Sequence, residues 1–172
     1  MRNLDGNTIA AGNSYSIMKQ TDNFGQTSEL LFRKNNPDYF EYAKTDNYTS
    51  AFQYSISEFT DHLFLNQYVQ QNNSWESPEF KDTTTFNQVI YLKYLYRCVK
   101  SNSVATVNGK VFANVCIIEM RPQLRAIGNP WGPTNEVYTY YYAKGIGLIY
   151  YKAINNMGYR KAEMQVNSWS IK

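Results

Sequence analysis

The sequence has few of the residues from which reactive sites are built. It contains one histidine, His62, and two cysteines, Cys98 and Cys116, in 172 residues. A metal site takes three or four His, Cys or carboxylate ligands at short spacings, and a nucleophilic Ser or Cys usually needs a histidine beside it. The sequence shows no such spacing. We therefore expect no metal, no cofactor and no enzymatic activity.

Long apolar runs and runs of one charge are also missing. No window reaches the ~18 consecutive apolar residues of a membrane helix, and the first eight residues lack the apolar stretch of a signal peptide. The 17 Lys and Arg residues are scattered and exceed the 14 Asp and Glu by only three. Without a basic stripe, no nucleic-acid partner is expected.

Three glutamates and two glycines match parts of known motifs, the glutamates a catalytic carboxylate pair and the glycines a dinucleotide-binding site. Glu119, Glu136 and Glu163 lie in or beside alternating strands, so we expect them on a solvated strand face and not in a carboxylate pair. Gly145 and Gly147 lack the third glycine and the following helix of a dinucleotide site. They predict a bend or bulge in the chain instead.

Aromatic residues are abundant, with 16 Tyr and 9 Phe, and they favour half-buried pleated surfaces. In Asn87 to Lys100 the side chains alternate, with Tyr94, Tyr96 and Cys98 on one side. We predict a mainly β fold, a curved antiparallel sheet that is half-barrel or sandwich-like, with at most one or two short helices. Residues 1–13 are expected to be a poorly ordered lead-in, and residues 14–172 a single β-rich domain.

Several segments outside that strand have their own predictions. Ser57 to Gln71 fits a helix capped by Ser57, but its apolar residues also fit a strand. The other predictions are strands at 15–20, 29–34, 38–43, 49–56, 137–143, 148–154 and 159–171, a polar loop at 72–85, and an irregular, proline-rich segment at 121–134.

Asn108 and Gly109 predict a two-residue type I′ turn that joins two long strands. In a regular ladder closed by Val107 and Lys110, residue i faces residue 217 minus i, since 107 and 110 sum to 217. Cys98 then faces Glu119, and Cys116 points to the other side of the sheet unless a bulge shifts the register. Two free thiols and a disulfide both remain open.

A row of tyrosines forms the candidate ligand-binding site. Tyr138, Tyr140 and Tyr142 share one side of a strand, and Trp131 lies in the preceding loop. Such a row either stabilises the sheet through cross-strand pairs or binds a sugar, a peptide or an apolar ligand. The candidate residues are Trp131, Tyr138, Tyr140 and Tyr142.

Two motifs resemble the C-terminal part of secreted lipoproteins of unknown function from Bacteroidota-type bacteria. These are Thr106-Val-Asn-Gly-Lys-Val-Phe-Ala-Asn-Val115 and Tyr141-Tyr-Ala-Lys-Gly-Ile-Gly-Leu-Ile149, and the likeness covers about residues 60–172. It implies export to the periplasm, the outer membrane or the exterior, and a curved sheet like that of lipoprotein carriers. Membrane attachment would require a lipid anchor absent from this chain. The resemblance assigns no functional residue.

Two functions are compatible with these features. The first is a non-enzymatic envelope or secreted domain that binds an apolar, lipid or glycan ligand, or a partner protein, on an aromatic β face. The alternative is a structural or assembly module that acts through protein contacts at a strand edge.

Overall fold

A computed structural model describes residues 2–21, 27–44, 59–83, 88–155, 158 and 160–165. These residues form thirteen strands and no helix, which confirms the mainly β, antiparallel prediction. The described part of the chain therefore has no helix that could cross a membrane. The strands are β1 Arg2–Ala10, β2 Asn13–Thr21, β3 Thr27–Asn35, β4 Asp38–Lys44, β5 Phe59–Asn66, β6 Ser74–Glu76, β7 Phe80–Thr83, β8 Val89–Val107, β9 Lys110–Ala126, β10 Gly132–Pro133, β11 Glu136–Ala143, β12 Gly147–Asn155 and β13 Arg160–Gln165.

The described strands fall into two sheets, and the chain forms two compact units. The first unit comprises Met1–Tyr68 with Lys81–Val89, and the second comprises Val69–Phe80 with Ile90–Lys172. The five-stranded sheet has the order β1-β2-β3-β4-β5. The other has the order β13-β12-β11-β9-β8-β6, with β7 beside β8 and β10 beside β9.

The five-stranded sheet begins in residues for which we expected no regular structure. Arg2–Ala10 forms β1 and pairs with β2 along its length.

Arg33 on β3 forms an ion pair with Asp61 on β5, and its guanidinium lies 3.9 Å from the ring centroid of Phe40. Burial raises the pKa of Tyr15, which is 1% exposed on the neighbouring strand.

The helix predicted at 57–71 is wrong for its central part, since Phe59–Asn66 is strand β5. Its apolar residues fit strand alternation as well as helical spacing, and pairing with β4 decides between the two. His62 lies opposite Glu41 in this pairing. The strands predicted at 15–20, 29–34 and 38–43 are confirmed, whereas the one predicted at 49–56 lies outside the described residues.

Strand β8 follows the predicted alternation from Ile90 to Cys98. Its even-numbered side chains are buried, and the odd-numbered ones are half-buried or exposed. We call the buried side the core face, which continues through Ile118 and Met120 on β9. The opposite side is the polar face, which carries Lys93, Arg97, Glu119 and Arg121.

The predicted turn at Asn108 and Gly109 is confirmed, with φ of 48° and 73° as a type I′ turn requires. Val107 faces Lys110 as the regular ladder predicts, but the register shifts between Cys98 and Ala105. Beyond these shifts Cys98 faces Ile118 and not Glu119.

The prediction that residues 121–134 are irregular is wrong for the first part of this segment, which includes Pro122. Strand β9 continues through Pro122, opposite Tyr94, to Ala126. The carbonyl of Pro122 accepts a hydrogen bond from Thr134 N, so this edge of the residue points away from β8. The missing N–H lies on the same edge, and the β8–β9 ladder loses no hydrogen bond to proline.

The polar loop predicted at 72–85 contains two short strands instead, β6 and β7. Trp75 on β6 stacks on Tyr96, with ring centroids 5.4 Å apart, and Phe80 on β7 packs 5.5 Å from Tyr94. Ser77 N donates to Tyr94 O at 2.9 Å. Both segments pair with the edge of β8 opposite β9. Their aromatic rings cover part of the core face.

Alanine substitutions of two isoleucines, one buried and one exposed, test where the core of the second unit lies. Ile118 is 0% exposed and Ile127 is 67% exposed. We expect Ile118→Ala to lower the free energy of unfolding by about 2–5 kcal/mol, because it leaves a cavity between β8 and β11. The matched change Ile127→Ala should stay within about 0.5 kcal/mol. Urea unfolding followed by circular dichroism measures both, and equal losses would contradict this assignment of the core.

Candidate functional site

The predicted tyrosine row lies on the core face of the second unit. Tyr138 is 4% exposed, Tyr140 is 9% exposed and Tyr142 is half-buried. Tyr140 packs against Tyr142 and Tyr151 with ring centroids 6.1 and 5.3 Å apart, and Tyr138 lies 6.3 Å from Tyr151. These contacts are cross-strand and same-face aromatic pairs, which stabilise sheets.

Glu136 lies beside this row, and the expectation of a solvated face for it is wrong. It is 4% exposed, and its carboxylate accepts a hydrogen bond from the Tyr138 hydroxyl. A buried carboxylate is tolerated when such bonds replace water. Burial, followed by the hydrogen bond to Glu136, raises the pKa of Tyr138 well above its usual range. The hydroxyl therefore stays protonated and serves as a donor.

Trp131 lies on the other side of the sheet from the three tyrosines. Tyr96, Met120 and Tyr138 follow one another across β8, β9 and β11 on the core face. Lys93 is three residues from Tyr96 in a regular stretch of β8, so it points to the polar face. Its Nζ lies 4.8 Å from the ring centroid of Trp131. The four predicted site residues are thus divided between two faces.

Trp131 is the centre of an aromatic and cationic group on the polar face. The Arg125 guanidinium lies 4.9 Å from the Trp131 centroid and 4.8 Å from that of Tyr91. Tyr91 and Arg125 face each other across β8 and β9. We call Tyr91, Lys93, Arg125 and Trp131 the Trp131 cluster. All four side chains are half-buried, so each keeps some surface accessible to solvent.

Two glutamates pair with the cations of the Trp131 cluster. Lys93 Nζ lies 2.7 Å from Glu76 Oε2, and Arg125 Nη2 lies 2.8 Å from Glu79 Oε2. Both glutamates precede β8 in the chain and are exposed. The two cations and two anions cancel, so the cluster and its two glutamates together offer hydrogen-bond donors and acceptors without a net formal charge.

An open groove of about 560 Å³ lies on the same face, and its lining includes Glu76, the ion-pair partner of Lys93. Polar side chains line much of it, including Arg97, Glu119 and Arg121. Arg121 Nε donates to Glu119 Oε1 at 2.7 Å. The groove has the volume of a small-ligand site, and its polar groups continue the charge pairing of the cluster along the polar face.

A small apolar cluster occupies the polar face at the hairpin end. Its buried members are Val107, Phe112, Val115, Ala143 and Ile149. Ile146 packs against it from the β11–β12 turn, where Gly145 and Gly147 have φ of 78° and 99°. The predicted glycine bend is confirmed here. Arg97, Glu119 and Arg121 lie between this cluster and Trp131 along β8 and β9.

Sequence reasoning identified Trp131 but missed its neighbours Tyr91, Lys93 and Arg125. The signal available in the sequence is the alternation of β8, which places Tyr91 and Lys93 together on the side opposite Tyr94 and Tyr96. Arg125 could not be assigned, because the proline-rich segment was expected to be irregular after Arg121. Strand β9 continuing through Pro122 brings Arg125 opposite Tyr91.

The two cysteines are free and close together. Their Sγ atoms lie 3.7 Å apart, with Cys98 buried and Cys116 half-buried. Burial raises the pKa of both thiols, that of Cys116 to about 12. Among the side chains that the structure describes, no three His, Cys, Asp or Glu residues are grouped closely enough to hold a metal ion.

No protein-family model, no curated protein and no solved structure matches this chain.

The Tyr138 hydroxyl should make stability depend on alkaline pH. Its pKa is raised in the fold, so its contribution is complete below the unfolded tyrosine pKa of about 10 and is lost as pH rises further. We expect Tyr138→Phe to cost about 1.5–3 kcal/mol at pH 7, since a bond to a carboxylate is lost, and to flatten the decline above pH ~10. Urea unfolding at several pH values measures both effects.

Tyr68→Phe is the control for loss of a hydroxyl, because Tyr68 is 72% exposed. It should change neither the stability at pH 7 nor its alkaline decline. A Tyr138→Phe protein with the stability and alkaline decline of the parent chain would show that the bond to Glu136 contributes nothing.

Proposed function

We propose that this protein is a non-enzymatic envelope or secreted domain that binds a neutral glycan on the Trp131 cluster. The observation that carries the proposal is the Arg125 guanidinium, which contacts both Tyr91 and Trp131 while Glu79 holds it by an ion pair. The resemblance of the Tyr141–Ile149 segment to secreted lipoproteins supports the location outside the cytoplasm.

The cluster provides the two kinds of contact that a sugar requires. Aromatic rings offer a flat apolar surface for the C–H groups of a pyranose, and amphipathic rings of this kind are common at binding surfaces. Charged groups around the rings donate to and accept from hydroxyls. Because Lys93 and Arg125 are already paired with Glu76 and Glu79, little side-chain freedom is lost on binding.

The charge balance favours a neutral ligand. Arg121 pairs with Glu119 beside the cluster, so three ion pairs lie along this face. An anionic ligand would have to compete with the three glutamates for their cations. A hydroxyl pair can instead accept from a cation and donate to a carboxylate without breaking the ion pair.

The lipid alternative has less support. An apolar ligand needs an accessible apolar cleft, and the predicted tyrosine row is mostly buried by its own neighbours. Four of the eight residues that line the groove are charged, namely Glu76, Arg97, Glu119 and Arg121. Both features favour a glycan over an acyl chain.

Titration with neutral oligosaccharides tests the proposal. The probes are gluco-, xylo-, manno- and chito-oligosaccharides, with oleate as the apolar comparison, and tryptophan fluorescence and calorimetry are the readouts. We expect at least one oligosaccharide to bind, and Trp131→Ala to weaken that binding at least tenfold, which corresponds to about 1.4 kcal/mol. Trp131→Phe should retain part of the affinity.

Tyr142→Ala is the matched control on the core face, where the half-buried Tyr142 belongs to the predicted tyrosine row. It should leave glycan affinity unchanged. Oleate binding that Tyr142→Ala removes and Trp131→Ala does not would overturn the proposal in favour of a lipid carrier. Failure of every oligosaccharide to bind would also reject it.

The second candidate is an assembly module acting through a strand edge, and the β8–β9 hairpin favours it. Beyond Cys98, β9 is the only described strand that pairs with β8. Val104 and Val111 near the turn are 68% and 70% exposed. An open edge next to exposed valines is suited to strand addition by another chain.

Sedimentation velocity tests the assembly module. If the hairpin mediates self-association, the parent chain should form a concentration-dependent dimer, and Val104→Lys with Val111→Lys should shift it to monomer through like-charge repulsion. Lysine replacement of Ile127, which is 67% exposed elsewhere, is the control. A parent chain that is monomeric at all concentrations would contradict self-assembly through this edge.

A further inference from the structure

We propose that Cys98 and Cys116 form an oxidisable dithiol whose disulfide joins β8 to β9 at the base of the hairpin. The proposal concerns the core face, and it is independent of glycan binding at the Trp131 cluster. Both cysteines belong to the second unit, and they are the only two in the chain, so only one intramolecular bond can form.

The register shifts bring the two sulfurs together. In the unshifted ladder Cys98 would face Glu119, and the cysteines would lie on opposite sides of the sheet. In the structure Cys98 faces Ile118, so Cys116 becomes its diagonal neighbour on the same face. Diagonal pairs in a flat ladder are usually too far apart for a disulfide. The irregular pairing from Cys98 to Ala105 reduces the separation here.

The remaining movement is small. The Sγ atoms are 3.7 Å apart, and a disulfide requires ~2.05 Å, so they must approach by about 1.7 Å. Rotation of the two side chains about χ1 moves sulfur by this amount with little displacement of the backbone. The Cys98 thiol donates to Lys100 O at 3.3 Å, a weak bond that oxidation would give up.

The surroundings indicate a structural bond and not a catalytic one. Catalytic and sensing cysteines have lowered pKa values and sit in electropositive sites. Here burial raises the pKa of both thiols. Thiolate is therefore scarce in the folded protein, so the reduced pair reacts slowly and the bond, once formed, exchanges slowly.

Oxidation requires a disulfide oxidant, such as oxidised glutathione or an exported thiol oxidase. The half-buried Cys116 loses its proton and attacks one sulfur of the oxidant's disulfide. The S–S bond of the oxidant breaks, its other sulfur leaves as a thiolate and is protonated, and the attacked sulfur remains bonded to Cys116 as a mixed disulfide. Cys98 then loses its proton and attacks Cys116 Sγ, which displaces the second thiol. Two protons and two electrons pass from the cysteines to the oxidant, which becomes two thiols.

The bond would hold the irregular pairing in one register. It would close a loop that contains the hairpin turn and all three register shifts. Closing a loop of this length restricts the unfolded chain and stabilises the folded one. The expected effect is a rise in Tm of about 5–10 °C for the oxidised form.

Refolding in a glutathione redox buffer tests the dithiol without relying on slow oxidation of the folded state. The denatured, reduced chain is refolded with excess oxidised glutathione, denatured again and treated with iodoacetamide. We expect the intact mass to be lighter by two hydrogens, with no alkylated cysteine. Circular dichroism should match the reduced protein, and thermal melting should show the rise in Tm.

Cys116→Ala is the control, since Cys116 is the less buried of the two, and its melting should not respond to the redox buffer. Two alkylated cysteines per chain after refolding, chains linked as covalent dimers, or a cysteine left as a mixed disulfide with glutathione would each overturn the proposal. A disulfide that forms but distorts the circular dichroism spectrum would do so as well.

Discussion

The pairing of β8 with β9 is the constraint on which the second unit depends. From Ile90 to Cys98 the ladder is regular, and this stretch determines which side chains are buried with Met120 and which join Lys93 on the polar face. Because strand side chains have a period of two, a single choice of register decides both sets together. The core face and the Trp131 cluster are therefore two results of one pairing.

The ion pairs around Trp131 contribute little to stability. Exposed pairs contribute about 0–1 kcal/mol each, and Glu76 and Glu79 are both exposed. Their main physical effect is to restrict Lys93 and Arg125, and through them the aromatic rings that these cations contact. Placing such pairs around half-buried rings gives a surface that is rigid without being strongly charged, as the glycan proposal requires.

Much of the fold was predictable because its signals are local. The alternation of Tyr94, Tyr96 and Cys98 predicted the core side of β8, and Asn108 with Gly109 predicted the turn. The signals that failed depend on partners distant in sequence. Phe59–Asn66 becomes a strand because β4 pairs with it. Pro122 is tolerated in β9 because its edge without an N–H faces β10 and not β8. The neighbours of Trp131 were not predictable for the same reason, since only the extended β9 brings Arg125 to it.

The irregular end of the β8–β9 hairpin can accept insertions and deletions of residues that its regular part cannot. An extra or missing residue between Ile90 and Cys98 would move every later side chain of that strand to the opposite face, so that charged groups would enter the core. Between Cys98 and Ala105 the ladder already contains three offsets, and Asn102 and Asn114 hold positive φ there. Another offset in this segment adds one more bulge. Insertions and deletions should therefore accumulate near the hairpin turn and be rare in the half of the hairpin that carries Lys93.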